Sequence, residues 1–344
     1  GDGRRCGGSE PERVPFSVAE AGELANMSKF ITETASTLPE HLSLPLSPEV
    51  AMEFRLIPPG RFRMGSRYGY SNEQPEHWVE ITRPFYLGKY RITQEQFAVW
   101  TNSERLVHEN GFPENPHHPA ESMKWFASRD YCNWLTREHQ SHLPPGHIAG
   151  LPSEAEWEYA CRAGAETEYH SGDGDAALSI AGWFKENSER KTHPVGEKLP
   201  NGFGLYDMHG NILEWCRDAW DEFAYRKRVG DVRDPIVKPS DIGKSEENAD
   251  RVIRGGSWDG SARRCRAAYR IGRRPGFRNM DQGFRVCLFL GPCPDEPDST
   301  GAESEPVPGD GVRREAETQS QGTGGDAAEV NLSESHFPSL RDGT

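Results

Sequence analysis

No apolar run in this sequence approaches the ~20 residues that a membrane-spanning helix needs. No secretory signal is visible either. Both absences argue against a membrane partner. Zinc-type pairing is also missing. The seven cysteines (Cys6, Cys132, Cys161, Cys216, Cys265, Cys287 and Cys293) are odd in number and show no metal-like pair spacing. Cys132, Cys161 and Cys216 lie in apolar contexts, where a free cysteine behaves as a small hydrophobe. That usage slightly favours a reducing, cytoplasmic compartment. No recognised nucleic-acid module is present, so nucleic acid is not an expected partner. The sequence carries no signal for oligomeric state.

What is abundant is loop chemistry. The 344 residues include 36 glycines and 26 prolines, which points to a loop-rich chain with room for one large domain. Nine tryptophans can anchor a core that has little regular secondary structure, each burying a large apolar area. The net charge of −14 is unevenly placed. In residues 291–344, twelve Asp or Glu against three Arg leave −9, whereas in residues 251–289 ten Arg against two acids leave +8. A local basic excess favours an anionic ligand, or else arginines that brace loops through bidentate pairs.

Residues 1–13 read as disordered. Phe16, Val18, Leu24, Met27, Phe30 and Ile31 suggest a short helix within 14–35, followed by a Pro-rich connector, so that 14–51 precedes the domain. The domain is expected over 52–290. A strand at 54–57 turns at Pro58-Pro59-Gly60 into a partner at 61–66, and two further strands flank Arg83-Pro84. Thr93 and Gln96 form a capping box that opens a helix. A second helix covers about 126–139, with Phe126, Tyr131, Trp134 and Leu135 on its apolar face. Ser153 and Glu156 cap a third, which Gly164 stops. Residues 165–250 read as loops with short strands, and strands at 251–258 and 283–290 close the domain. From 291 onward Gly, Pro, Ser and acids predict a disordered acidic tail.

Six segments occur in fixed order. They are Ile-Pro-Pro-Gly-Arg-Phe-Arg-Met-Gly-Ser (57–66), Tyr-Arg-Ile-Thr-Gln-Glu-Gln-Phe (90–97), His118-Pro119 with Lys124-Trp125, Leu-Pro-Ser-Glu-Ala-Glu-Trp (151–157), Asn-Gly-Phe-Gly-Leu-Tyr-Asp-Met-His-Gly-Asn-Ile-Leu-Glu-Trp (201–215), and Arg-Gly-Gly-Ser-Trp (254–258) leading to Gly-Phe-Arg-Val (283–286). Together they resemble the formylglycine-generating enzyme family, the sulfatase-modifying-factor domain. The resemblance implies an irregular, loop-rich α+β fold of the C-type-lectin-like kind, in which the first and last strands pair.

The resemblance also implies chemistry. Oxidases of this family hold Cu(I) between two thiolates, three and eight residues after the serine of Gly-Gly-Ser, and convert a sulfatase cysteine to formylglycine. Here those positions are Gly260 and Cys265. Two soft thiolates suit Cu(I), whereas one holds it weakly. Ser257 and Cys265 are therefore catalytic candidates only if the chain is an oxidase; a packed, inert thiol is the other reading of Cys265. A loop that coordinates structural calcium in the oxidases corresponds to the stretch around Gly210, which makes Asn211 and Glu214 metal candidates beside the reading of an Asn turn and a buried Glu–Arg pair. The related sulfoxide synthases draw an iron site largely from an added helical domain that is not seen here. Retroelement-diversified variable proteins, which resemble the same domain, use the C-terminal segment as a ligand face. On that likeness, Trp258, Asp259, Ser261, Tyr269, Phe277, Asn279 and Asp281 are ligand-binding candidates for a peptide, glycan or protein, since mixed aromatic, polar and acidic residues on a rigid frame suit an adaptable surface. The favoured expectation is such a binding role, and the alternative is a copper-dependent oxidase.

Overall fold

The computed structural model describes residues 38–113, 115–228, 230–291 and 313–314. The expected N-terminal helix and disordered segment, and nearly all of the acidic tail, lie outside these residues. The described part is a mixed α+β fold with few helices, short strands and long loops.

Three small sheets carry it. The first is antiparallel, in the order His41–Pro45, Ala51–Ile57, Phe85–Gly88, Cys287–Leu290, His147–Gly150. The expected pairing of first and last strands is thus corrected, because Phe85–Gly88 lies between them. All four of its residues are buried, as a central strand's should be. The connector reading of the residues before 52 is corrected too. Leu42 and Leu44 alternate with polar residues in the edge strand His41–Pro45, and its proline sits at the strand end, where a missing N–H costs no ladder bond.

The hairpin expected at Pro58-Pro59 does not form. Ala51–Ile57 belongs to the first sheet, while Gly60–Met64 pairs with His77–Ile81 in another. Ile57 faces Phe85 and Gly60 faces Ile81. The segments 51–64 and 77–88 are therefore one long antiparallel pair, bent where Pro58-Pro59 lies opposite Arg83-Pro84. Proline removes ladder donors at the same level on both strands, and the pair changes sheets there. A further sheet runs Arg270–Arg273, Arg251–Arg254, Leu213–Ala219, Gln282–Gly283.

Both capping boxes are present: Thr93 and Ser153 each accept the amide three residues on, and the Gln96 and Glu156 side chains reach back. They start the helices Gln94–Ser103 and Glu154–Arg162. The middle helix is Trp125–His139, with Tyr131, Trp134 and Leu135 buried. Two further helices, Gly174–Ala181 and the single turn Ala224–Lys227, lie in a stretch read as loops and strands. Trp157 and Trp215 are fully buried core anchors.

The interior also holds ionised side chains at unusual density. Glu154 and Glu158, one turn apart on the Glu154–Arg162 helix, are both fully buried. Glu154 binds Arg270 in bidentate fashion, at 2.6 and 2.7 Å. The helix-start amide of Glu154 is served from elsewhere: Asp218 Oδ2 accepts the Glu154 N–H at 2.8 Å. Glu158 pairs with Arg162 at 2.8 Å and with Arg254. Glu73 holds Arg266 through two bonds of 2.8 Å. Glu158→Ala should cost about 3–5 kcal/mol in urea denaturation, because it removes the buried carboxylate that Arg162 and Arg254 share and leaves Arg254 only the longer 3.8 Å approach to Glu154. Asp231→Ala, which breaks the exposed Arg61–Asp231 pair, should cost less than about 1 kcal/mol in the same measurement.

Candidate functional site

The sequence Arg254-Gly-Gly-Ser-Trp258 leaves its strand through two left-handed glycines, Gly255 at φ 96° and Gly256 at φ 72°. A side chain at Gly256 would collide with the Cys265 sulfur and with the backbone beside it, so glycine is required there. The turn is held from below, where Gly210 N–H donates to Gly255 O at 2.7 Å. It is held from the side as well, since Trp258 N–H donates to Asn211 O at 2.8 Å and Ser188 Oγ donates to Trp258 O at 2.8 Å. Ser257 is buried, with its hydroxyl donating to Asp281 Oδ2 at 3.5 Å.

The segments 257–259 and 279–281 meet. Trp258 Nε1 donates to Met280 O at 3.2 Å, and its ring stands edge-on to Phe112, with 5.5 Å between centroids. Asp259 and Asn279 are exposed beside them, and Asp281 is half-buried. Burial raises the Asp281 pKa, and the nearby Asp259 charge adds to that. Phe277 is exposed, and its carbonyl accepts from Gln282 Nε2 at 2.8 Å. Ser261 is exposed at the start of the Ala262–Cys265 turn. Tyr269 is the exception: it is buried, edge-on to Tyr70 at 5.9 Å, and forms part of the wall rather than the face. Sequence reasoning missed Phe112 and Glu121. Buried Glu121 accepts the amides of Gly111 and Phe112 and so sets the loop that carries Phe112. No local pattern announces these residues, because each acts on a segment distant in sequence.

The ten arginines of 251–289 divide evenly. Arg251, Arg254, Arg266, Arg270 and Arg285 are buried, and each pairs with a carboxylate. Arg263, Arg264, Arg273, Arg274 and Arg278 are exposed and form no ion pair among the described residues. Arg263 lies over the Tyr70 ring at 4.3 Å, and Arg273 lies over Phe277 at 5.8 Å.

The metals implied by the resemblance do not fit the residues present. For copper, Cys265 is fully buried against Gly256, and burial pushes its thiol up to about 12. The other thiolate position is Gly260, which has no side chain to offer. Nor does Cys265 stand on a strand; it closes a short helical turn. For calcium, the expectation at Asn211 and Glu214 is corrected. Glu214 is already occupied: it accepts from Arg285 Nη2 at 3.0 Å and Trp157 Nε1 at 2.7 Å, and the Arg91 guanidinium forms an ion pair with it, Nε lying 2.9 Å away. Asn211 closes a reciprocal clasp on the backbone of His193, accepting its N–H at 3.2 Å and donating to its carbonyl at 3.0 Å. Among the described residues no group of three or more His, Cys, Asp or Glu could hold a metal ion.

A thiol lifted this far cannot ionise near neutral pH, and the thiolate is the reactive form. Peptide-mapped iodoacetamide labelling of the folded protein at mildly alkaline pH should leave Cys132, Cys161, Cys216, Cys265 and Cys287 unmodified, since all five are buried. All five should react in denaturant. Rapid labelling of Cys265 in the folded protein would show an accessible, ionisable thiol instead.

Residues 45–288 match the family described as the sulfatase-modifying factor enzyme 1-like domain. Among curated proteins, the chain is similar to the serine/threonine-protein kinase pkn1 of Chlamydia pneumoniae, 30% identical over 69% of this chain and 38% of that protein. It is also similar to the formylglycine-generating enzyme of Streptomyces coelicolor, 27% identical over 67% of this chain and 87% of that protein. The chain thus spans less than two-fifths of the length of the kinases it matches. Among solved structures, Treponema denticola variable protein 1 superposes with a TM-score of 0.62 at 26% identity, covering 73% of this chain and 99% of that one. PvdO from Pseudomonas aeruginosa superposes at 0.61 with 24% identity, covering 74% and 100%. With its family match, its fold neighbours and its buried frame in agreement, the chain belongs to the sulfatase-modifying-factor (formylglycine-generating-enzyme-like) family.

Proposed function

We propose that this chain is a ligand-binding member of the family, that the surface built from Trp258, Asp259, Ser261, Phe277, Asn279 and Asp281 takes the ligand, and that it is not a copper oxidase. The observation that carries this reading is the division of the 251–289 arginines. Five lock the interior, and five stand exposed on the same segment, two of them beside aromatic rings: Arg263 over Tyr70 and Arg273 over Phe277. A fixed frame under a mixed charged and aromatic face lowers the ordering cost of binding. Of the peptide, glycan and protein ligands the fold can serve, this face suits a peptide or protein segment rich in carboxylates: guanidinium forks match carboxylates, and Trp258 and Phe277 offer apolar contact. The likeness to Treponema denticola variable protein 1 agrees with the resemblance to variable proteins on which this face was expected.

The oxidase reading has one observation in its favour. The Cys265 sulfur packs against Gly256, the residue before Ser257, so the two candidates lie close together. Two measurements separate the readings. Incubation of a sulfatase-type Cys-x-Pro-x-Arg peptide with the purified chain, copper and oxygen should leave its cysteine unconverted by mass spectrometry; conversion that Cys265→Ser abolishes would overturn the binding reading. A fluorescein-labelled polyglutamate peptide should bind at low salt and weaken about tenfold or more in the Arg274→Glu, Arg278→Glu double variant. Binding that ignores this charge reversal would reject the proposed face.

A further inference from the structure

The misfit between the expected calcium site and the observed one has a specific cause. The segment 207–214 makes three left-handed steps, Asp207 at φ 58°, Gly210 at φ 75° and Asn211 at φ 57°. They wrap its oxygens inward around the guanidinium of Arg91. Arg91 comes from the Tyr-Arg-Ile-Thr segment that precedes the Gln94–Ser103 helix, and it is fully buried. Its Nε lies 2.9 Å from Glu214 Oε1, and its Nη2 donates to Gly210 O at 2.9 Å. Its Nη1 has no hydrogen-bond partner among the described residues, and neither does the buried Asp207 Oδ1. The other Asp207 oxygen accepts Gly196 N–H at 2.8 Å. The Arg91 charge is close enough to offset part of the upward push of burial on the Asp207 carboxyl.

Two carboxylates and a peptide carbonyl around one buried positive charge is oxygen chemistry that a hard divalent cation would also satisfy. We infer that Arg91 is the resident cation of this loop, that its guanidinium stands where a divalent metal would otherwise sit, and that the domain is folded and held without calcium. Charge balance supports the assignment. Arg91 and Arg285 face Glu214 and Asp207, two charges of each sign. Without Arg91, Arg285 alone would face two buried carboxylates and an emptied space.

The loop so held also carries the ligand face, through the bonds from Gly210 to Gly255 and from Trp258 to Asn211. Arg91 is therefore a positioning residue for the Gly255–Trp258 turn. The consequence is a face whose shape does not depend on calcium. This inference does not rest on the proposed binding function, and its test reads stability rather than ligand.

The test is a thermal melt of the full chain in excess EDTA and in millimolar calcium. The wild-type Tm should be the same in both. Arg91→Ala should melt lower by about 10 °C in EDTA, since it unpairs buried carboxylates. Calcium should then recover several degrees of that loss. Arg91→Lys keeps the charge and should stay indifferent to calcium. Arg254→Ala, which removes a different buried guanidinium, should gain nothing from calcium. If Arg91→Ala folds only when calcium is supplied, the inference holds in its strongest form. A wild-type Tm that drops in EDTA would overturn it. So would an Arg91→Ala protein that calcium does not stabilise beyond the Arg254→Ala control.

Discussion

Buried pairing between carboxylates and arginines is the constraint on which the rest of this fold depends. The strands are short and the loops long, so regular ladders satisfy only part of the backbone. The arginines supply the remaining donors. Arg254 donates to the carbonyls of Ala267, Ala268 and Tyr269, and Arg285 to those of Gly88, Lys89 and Tyr206. Arg270 reaches the carbonyls of Asn72 and Asp221. Each guanidinium neutralises a carboxylate and pins loops far apart in sequence. Buried carbonyls need such partners. A buried ion pair need add little net stability, yet removing one member is costly. The network thereby selects one arrangement of loops over its competitors.

The candidate site inherits its rigidity from that network. The Gly255-Gly256 turn sits over Trp157, whose indole nitrogen donates to Glu214, and Glu214 in turn holds Arg91 and Arg285. The chain thus presents Trp258, Asp259 and Asp281 from a base of fully buried side chains. Exposed arginines and aromatics stand around this base. Cys265 is packed against Gly256, and the other position at which a thiolate was expected, Gly260, has no side chain.

Fold class and family were legible in the sequence because they rest on local, ordered signals. The capping boxes at Thr93 and Ser153, the apolar face of Trp125–His139 and the Gly-Gly-Ser-Trp turn each lie within a few residues of chain. Strand partnership was not legible. Pro58-Pro59-Gly60 reads as a hairpin turn, and only the opposing break at Arg83-Pro84 reveals a bent strand pair. The strand His41–Pro45 was hidden by its terminal proline and by the flanking Pro39 and Pro48, and Tyr269 was taken for surface because alternation says nothing of a neighbour such as Tyr70.

Roles of charged residues show the same division. Residue types and spacing by themselves determined that this chain carries the sulfatase-modifying-factor pattern, that position 260 is glycine and that 251–289 is basic. Which arginines turn inward, and that Arg91 meets Glu214 across more than a hundred residues, only the tertiary structure decided. The physical reason is range. Caps, turns and periodicity are properties of a few adjacent residues, whereas the neutralisation of a buried charge depends on whichever distant side chain the fold brings within hydrogen-bond reach.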